Sequence, residues 1–162
     1  MPGETSDKIM PDIQSAKPAD YAGDVAVAEA WRVLAENPKA VLVDVRTRAE
    51  WTFVGVADLG AIGKEPLHVE WQSFPAMNVN EAFATSVADA LKKQFGEAAV
   101  DVPVLMLCRS GVRSRAGAIA LTAQGFRAAY NVTGGFEGDH DETRHRGQRT
   151  GWKAAGLPWV QA

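Results

Sequence analysis

The run Val104-Leu105-Met106-Leu107 is apolar at every position and ends on Cys108, the one cysteine of the chain. Arg109-Ser110-Gly111-Val112-Arg113-Ser114 follows. Apolar residues then recur at helical spacing at Val112, Ala116, Ile119, Ala120 and Ala123, closed by Gly125. A strand without polar alternation is one buried on both faces, as in parallel sheets covered by helices. The turn from that strand into that helix also sets the candidate chemistry. Backbone N–H groups at a helix N-terminus attract negative charge. Arg109 and Arg113 add cationic potential, and both effects favour an ionised sulfur. Most unpaired cysteines are small buried apolar residues. A cysteine at a strand end, ahead of a cationic glycine loop, is instead read as a nucleophile.

Strand and helix patterns alternate elsewhere too. Val27, Ala30, Trp31 and Leu34 predict a helix over about 25–36, with Asp24 as N-cap and Asn37-Pro38 as its end. Val41 to Val45 reads as a second buried strand, followed by a short helix through Arg48, Glu50 and Trp51. Thr52 to Val56 is a further candidate strand, and Leu67 to Glu70 a short strand or edge. Asn80 opens a long helix that Gly96 closes after Phe95. Gly117 is expected to pack closely against the sheet. Ala128 to Val132 is a last strand, leading into Thr133-Gly134-Gly135. This alternation argues an α/β domain with a mostly parallel central sheet. In such sheets ligands bind beyond the carboxyl ends of the strands. Asp44 with Arg46, Cys108, and Gly134 with Gly135 all fall at such ends.

At 162 residues the chain reads as a 1–20 flexible lead-in and a 21–162 single domain. A net charge of −3, with no massed basic block, gives no footprint for nucleic acid. No stretch approaches the apolar length that crosses a membrane. One cysteine excludes an intramolecular disulfide and a resolving partner within the chain. A cytoplasmic protein with a reduced thiol is the expectation.

Several of these residues together resemble the rhodanese domain. They are Asp44-Val45-Arg46 with Glu50-Trp51, the Cys108 to Ser114 loop, Asn131-Val132-Thr133-Gly134-Gly135, and Gly156-Leu157-Pro158. The resemblance implies a three-layer α/β/α fold around a five-stranded, mostly parallel sheet. It also implies a single-domain sulfurtransferase whose cysteine carries a sulfane sulfur as a persulfide. Two stretches depart from the family. The chain reads Val54-Gly55-Val56-Ala57-Asp58-Leu59-Gly60 where a Gly-His-Ile-Pro-Gly-Ala-like run is usual, and His68 comes much later. An extended loop also occupies about residues 136–150.

Cys108 is therefore the expected catalytic residue, and Arg109, Ser110, Gly111, Val112, Arg113 and Ser114 the substrate-binding loop. Arg113 is expected to order that loop and supply positive potential, and Arg109 to meet the anionic end of a donor. Asp44, Arg46, Glu50, Gly134 and Gly135 are expected to support the loop, with Arg46 and Glu50 four residues apart on a short helix. The implied substrates are a small sulfur donor such as thiosulfate and a thiophilic acceptor, cyanide or a thiol, including a thiol-bearing protein. No cofactor and no metal are expected. The His140, Asp139, Asp141, Glu142 and His145 cluster reads as a solvated loop, not a metal site. Trp71 and Trp152 are candidates for the substrate entrance. Two other classes are alternatives. A cysteine phosphatase or arsenate reductase places one more residue between cysteine and arginine than separates Cys108 from Arg113. A non-catalytic rhodanese-like binding or sensing module is the other.

Overall fold

In the computed structural model, β8 (Val104–Leu107) lies between β3 (Val41–Asp44) and β9 (Ala129–Val132), parallel to both. Residues 8–17 and 20–161 are described. β2 (Tyr21–Val25) extends the sheet beyond β9, and β5 (Leu67–His68) beyond β3, again in parallel. β1 (Ser15–Lys17) adds an antiparallel edge on β2. The order β1-β2-β9-β8-β3-β5 thus contains the expected five parallel strands plus that edge. Part of the expected lead-in is this edge strand; residues 1–7 and 18–19 lie outside the described residues.

Side chains alternate across a strand, and this divides the core in two. Val104, Met106 and Cys108 join Val43 and Val45 in one layer. There they meet Phe83, Val87 and Leu91 of α3 (Phe83–Phe95) and Ala118 and Leu121 of α4 (Val112–Ala123). Leu105 and Leu107 point the other way, to Ala30, Val33 and Leu34 of α1 (Val27–Glu36) and to Trp152 of α5 (Gly151–Ala154). With both faces covered, β8 has no use for polar alternation.

Several elements differ from the sequence expectation. Asp24 does not cap α1, whose N-cap Ala26 offers no side chain. Asp24 belongs to β2, pairs in register with Asn131, and hydrogen-bonds across the sheet instead. Thr52 to Val56 is not a strand. A capping box between Thr47 and Glu50 commits this stretch to α2 (Arg48–Phe53). Only β4 (Val56–Ala57) is extended, paired with β10 (Trp159–Val160). β6 (Gln72–Ser73) and β7 (Asn78–Val79) form a small hairpin before α3. Gly117 meets a helix more than the sheet: a Cβ there would stand 3.1 Å from the Phe83 ring of α3 and 3.8 Å from Val45. Among the described residues, no helix is long and apolar enough to cross a membrane.

Leu105, fully buried in the central strand, tests this packing. Leu105→Ala is expected to lower unfolding free energy by about 3 kcal/mol in urea denaturation. A loss well below 1 kcal/mol would be incompatible with a close-packed β8.

Candidate active site

Cys108 follows the last residue of β8 and is 1% exposed. The chain must turn here, because the sheet neighbours of β8 leave no room beside it. Gly111 makes the turn with φ of +112°, where a glycine is favoured, and serves as N-cap of α4. Its backbone N–H donates to Cys108 Sγ at 3.0 Å. Of the loop amides expected around the sulfur, this one reaches it. Ser114 Oγ lies 3.1 Å from Sγ on the other side, in the first turn of α4.

Arg113 does not point its guanidinium at the sulfur. Its Nη1 and Nη2 donate to the two carboxylate oxygens of Glu50, at 2.6 and 2.9 Å. Glu50 also accepts from the Thr47 backbone N–H at 3.2 Å, closing the cap of α2. One carboxylate therefore ties α2 to α4. Burial alone would raise the Glu50 carboxyl. The hydrogen-bonded Arg113, the Thr47 amide and the charge of Arg46 outweigh burial and hold it below its ordinary range.

Arg46 pairs with Asp44, not with Glu50. Its Nη2 donates to Asp44 Oδ2 at 2.7 Å and to the Gly55 carbonyl at 2.8 Å. Both side chains are buried, and the guanidinium lies over the Phe136 ring at 4.2 Å. Asp44 also receives the Arg46 backbone N–H, which fixes the bend after β3. His68, displaced along the sequence, is returned to this corner by the parallel pairing of β5 with β3. Its Nε2 is 4.0 Å from Asp44, its ring meets Trp51 edge to face, and burial keeps its basicity below the ordinary value.

Gly135 adopts φ of +65° against the Cys108 loop. A Cβ there would stand 2.5 Å from the backbone of Arg109 and Cys108. The Phe136 N–H donates to the Cys108 carbonyl, and Glu137 and Gly138 donate to that of Arg109. Gly134 instead abuts the Gly151 backbone. In the extended loop, Asp141 accepts from Thr143 and from the His145 N–H, which turns the cluster inward on its own backbone. Among the described residues, no group of His, Cys, Asp and Glu is placed to hold a metal ion.

A pocket of about 620 Å³ opens over Cys108, lined by Glu50, Arg109 and Arg113. Arg109 is exposed. The rim carries Phe53, Phe74 and Met77, all exposed, which the sequence reading did not single out. The signal for Phe74 and Met77 was an apolar pair in a hairpin turn, where polar residues are usual; Phe53 ends α2. Trp71 and Trp152 are not at this entrance. Trp71 meets Phe83 edge to face, and Trp152 is fully buried with its Nε1–H on the Pro158 carbonyl. A larger groove of about 800 Å³ lies at the opposite strand ends, where Lys64 donates to the Asn37 and Ala40 carbonyls.

The sequence profile of the STR4 middle domain matches residues 22–162. The chain belongs to this family of rhodanese-like proteins. Rhodanese-like domain-containing protein 7 of Arabidopsis thaliana is 28% identical over 140 residues, 76% of this chain and 28% of that protein. An uncharacterised protein of Rickettsia rickettsii, the RP600 homolog, is 33% identical over 136 residues, 84% of this chain and 95% of its own. The crystal structure of Rv0390 from M. tuberculosis superposes with a TM-score of 0.77 at 46% identity, covering 88% of this chain and 99% of that one. The polysulfide-sulfur transferase homodimer of Wolinella succinogenes shares the fold, with a TM-score of 0.54 at 22% identity over 90% of this chain and 82% of that one.

The rhodanese-like loop rests on two contacts that can be tested. Glu50 has a depressed carboxyl, so its pair with Arg113 stabilises the fold above the ordinary value of 4.5 and ceases to do so as pH falls below that value through the lowered folded-state one. Glu50→Gln is expected to cost about 2 kcal/mol at neutral pH, a figure reduced for partial exposure of the pair. The difference from the parent should vanish in acid; a constant difference across pH would refute the assignment. Gly135→Ala is expected to cost about 2 kcal/mol or more, because backbone cannot yield as a side chain can. Urea denaturation reads both.

Proposed function

We propose that this protein is a sulfurtransferase that carries sulfur on Cys108. The Cys108 thiolate attacks the outer sulfur of a donor such as thiosulfate. The S–S bond of the donor breaks, and sulfite leaves with the bonding electron pair. Cys108 is then a persulfide. An acceptor attacks the outer sulfur, the new S–S bond breaks, and the thiolate returns. Cyanide would leave as thiocyanate; a small thiol or a protein thiol would leave as a persulfide. With no second cysteine in the chain, discharge is to an external acceptor. A reduced, cytoplasmic setting suits such a thiol.

One observation carries this reading. Sγ sits at the base of the pocket with the Gly111 N–H on it, while the fork of Arg113 is occupied by Glu50. A single anionic sulfur needs few donors. A phosphate or arsenate needs a guanidinium free to pair with its oxygens, and here both ends of that fork are spent. The shared fold of a polysulfide-sulfur transferase adds support to sulfur chemistry. In this scheme Arg109, exposed at the pocket edge, meets the anionic end of the donor.

The deciding experiment is intact mass after incubation with thiosulfate, then cyanide. Gain of one sulfur atom, lost as thiocyanate forms, is the expected result. Cys108→Ser should abolish that gain with the fold retained by circular dichroism. A free, alkylatable thiol that takes sulfur from neither thiosulfate nor a small persulfide would overturn the proposal in favour of a binding module.

A further inference from the structure

A chain of hydrogen bonds runs from the sulfur along one face of the sheet, over β9 to β2. Ser114 Oγ is 3.1 Å from Sγ and donates to Asn131 Oδ1 at 2.6 Å. Asn131 Nδ2 donates to Asp24 Oδ1 at 3.1 Å, and the Tyr21 hydroxyl donates to the same oxygen at 2.7 Å. Ser114, Asn131 and Tyr21 are all at most 4% exposed. Asp24 is half-buried and borders a separate cleft on the other face of the loop.

The direction of each bond follows from chemistry. The Asp24 carboxylate only accepts, so Asn131 must turn its amide nitrogen toward it. The amide oxygen then faces Ser114 and takes the single hydroxyl proton. Ser114 has nothing left to donate to sulfur. At 3.1 Å its oxygen can only accept, so the hydrogen between them sits on Sγ. A thiolate or a persulfide sulfur has no such hydrogen. For either, the hydroxyl must turn to donate to sulfur, and Asn131 Oδ1 then loses its buried donor. An amide does not readily pass a proton along, so the chain orients and does not conduct.

We infer that Asn131, held by Asp24, is a positioning residue that aims the Ser114 proton away from the sulfur and so keeps the resting hydrogen on Cys108. This rests on the proposed function only in making Cys108 the reacting atom. The chain opposes the other groups around the sulfur. The Gly111 N–H and the charge of Arg113 favour an anion there, with Arg113 tempered by Glu50. Arg109 lies on the loop itself, and the mutually paired Asp44 and Arg46 stand at the end of β3. Near Asp24 the charged neighbour is Arg115 of α4, which lies over the Tyr21 ring at 6.0 Å.

The test is the pH dependence of iodoacetamide alkylation, which reads the thiol whether or not it carries sulfur. Asn131→Ala changes no charge and frees the Ser114 hydroxyl to turn. The alkylation midpoint is expected to move to lower pH by about one unit, a tenfold gain in rate below the midpoint. In a Ser114→Ala background, Asn131→Ala should move it no further. An equal shift in both backgrounds, or none in either, would overturn the inference. Should Asn131→Ala fail to fold, Asp24→Ala at the half-exposed end provides the same cycle: the part of its shift that disappears with Ser114→Ala is the hydroxyl's. A shift wholly retained reports only the lost charge and refutes the chain's role. Because no sulfur donor is present, failure here leaves the sulfur-transfer reading to its own mass measurement.

Discussion

Parallel pairing of β8 with both β3 and β9 is the constraint from which the site follows. Every strand of that trio has neighbours on both edges, so none can bend aside within the sheet. At the end of β8 the chain must rise out of the sheet and enter α4. The residue at that exit is Cys108, and the next free amides are those that begin the helix. A thiol and an anion-attracting turn are thereby placed together before any loop side chain is considered.

Two ion pairs then hold the exit in shape, and they divide the work. Asp44 and Arg46 are sealed beneath the loop, with Arg46 against Phe136 and the Gly55 carbonyl. Glu50 and Arg113 sit nearer solvent and join α2 to α4 across the pocket. Because Glu50 also completes the cap of α2, the start of that helix and the position of Arg113 are one structural fact. The strand-end glycine Gly135 closes the arrangement from a third side, through carbonyls of the loop itself.

The sulfur consequently sits between opposed influences. The Gly111 amide and the charge of Arg113 favour a sulfur without its proton. The Tyr21, Asp24, Asn131 and Ser114 chain arrives from β2 and β9 and favours one that keeps it. A thiol that keeps its proton is guarded against indiscriminate oxidation, and a rotating hydroxyl can serve both forms of the sulfur.

Much of this was legible in the sequence, for a definable reason. Burial of both faces of β8 and the period of α4 are local patterns, so the strand, the cysteine turn and the α/β class could be read from residues 104–125 alone. The partners of charged residues could not. Arg46 and Glu50 stand four apart, which suggests a helical pair, yet Arg46 precedes α2 and turns back to Asp44. Asp24 looked like a cap because it precedes a helix, but strand pairing gave it Asn131 first. Thr52 to Val56 has β-branched composition, and a capping box at Thr47 overrode it. Sequence by itself determined which residue carries the thiol and that it sits where a buried strand becomes a helix, because those are matters of short-range periodicity. The tertiary structure alone decided what that thiol touches: Gly111, Ser114 and beyond it Asn131, with Arg113 drawn off by Glu50. Those contacts join residues as far apart as 24 and 131, and only sheet register and helix packing bring their atoms within hydrogen-bond reach.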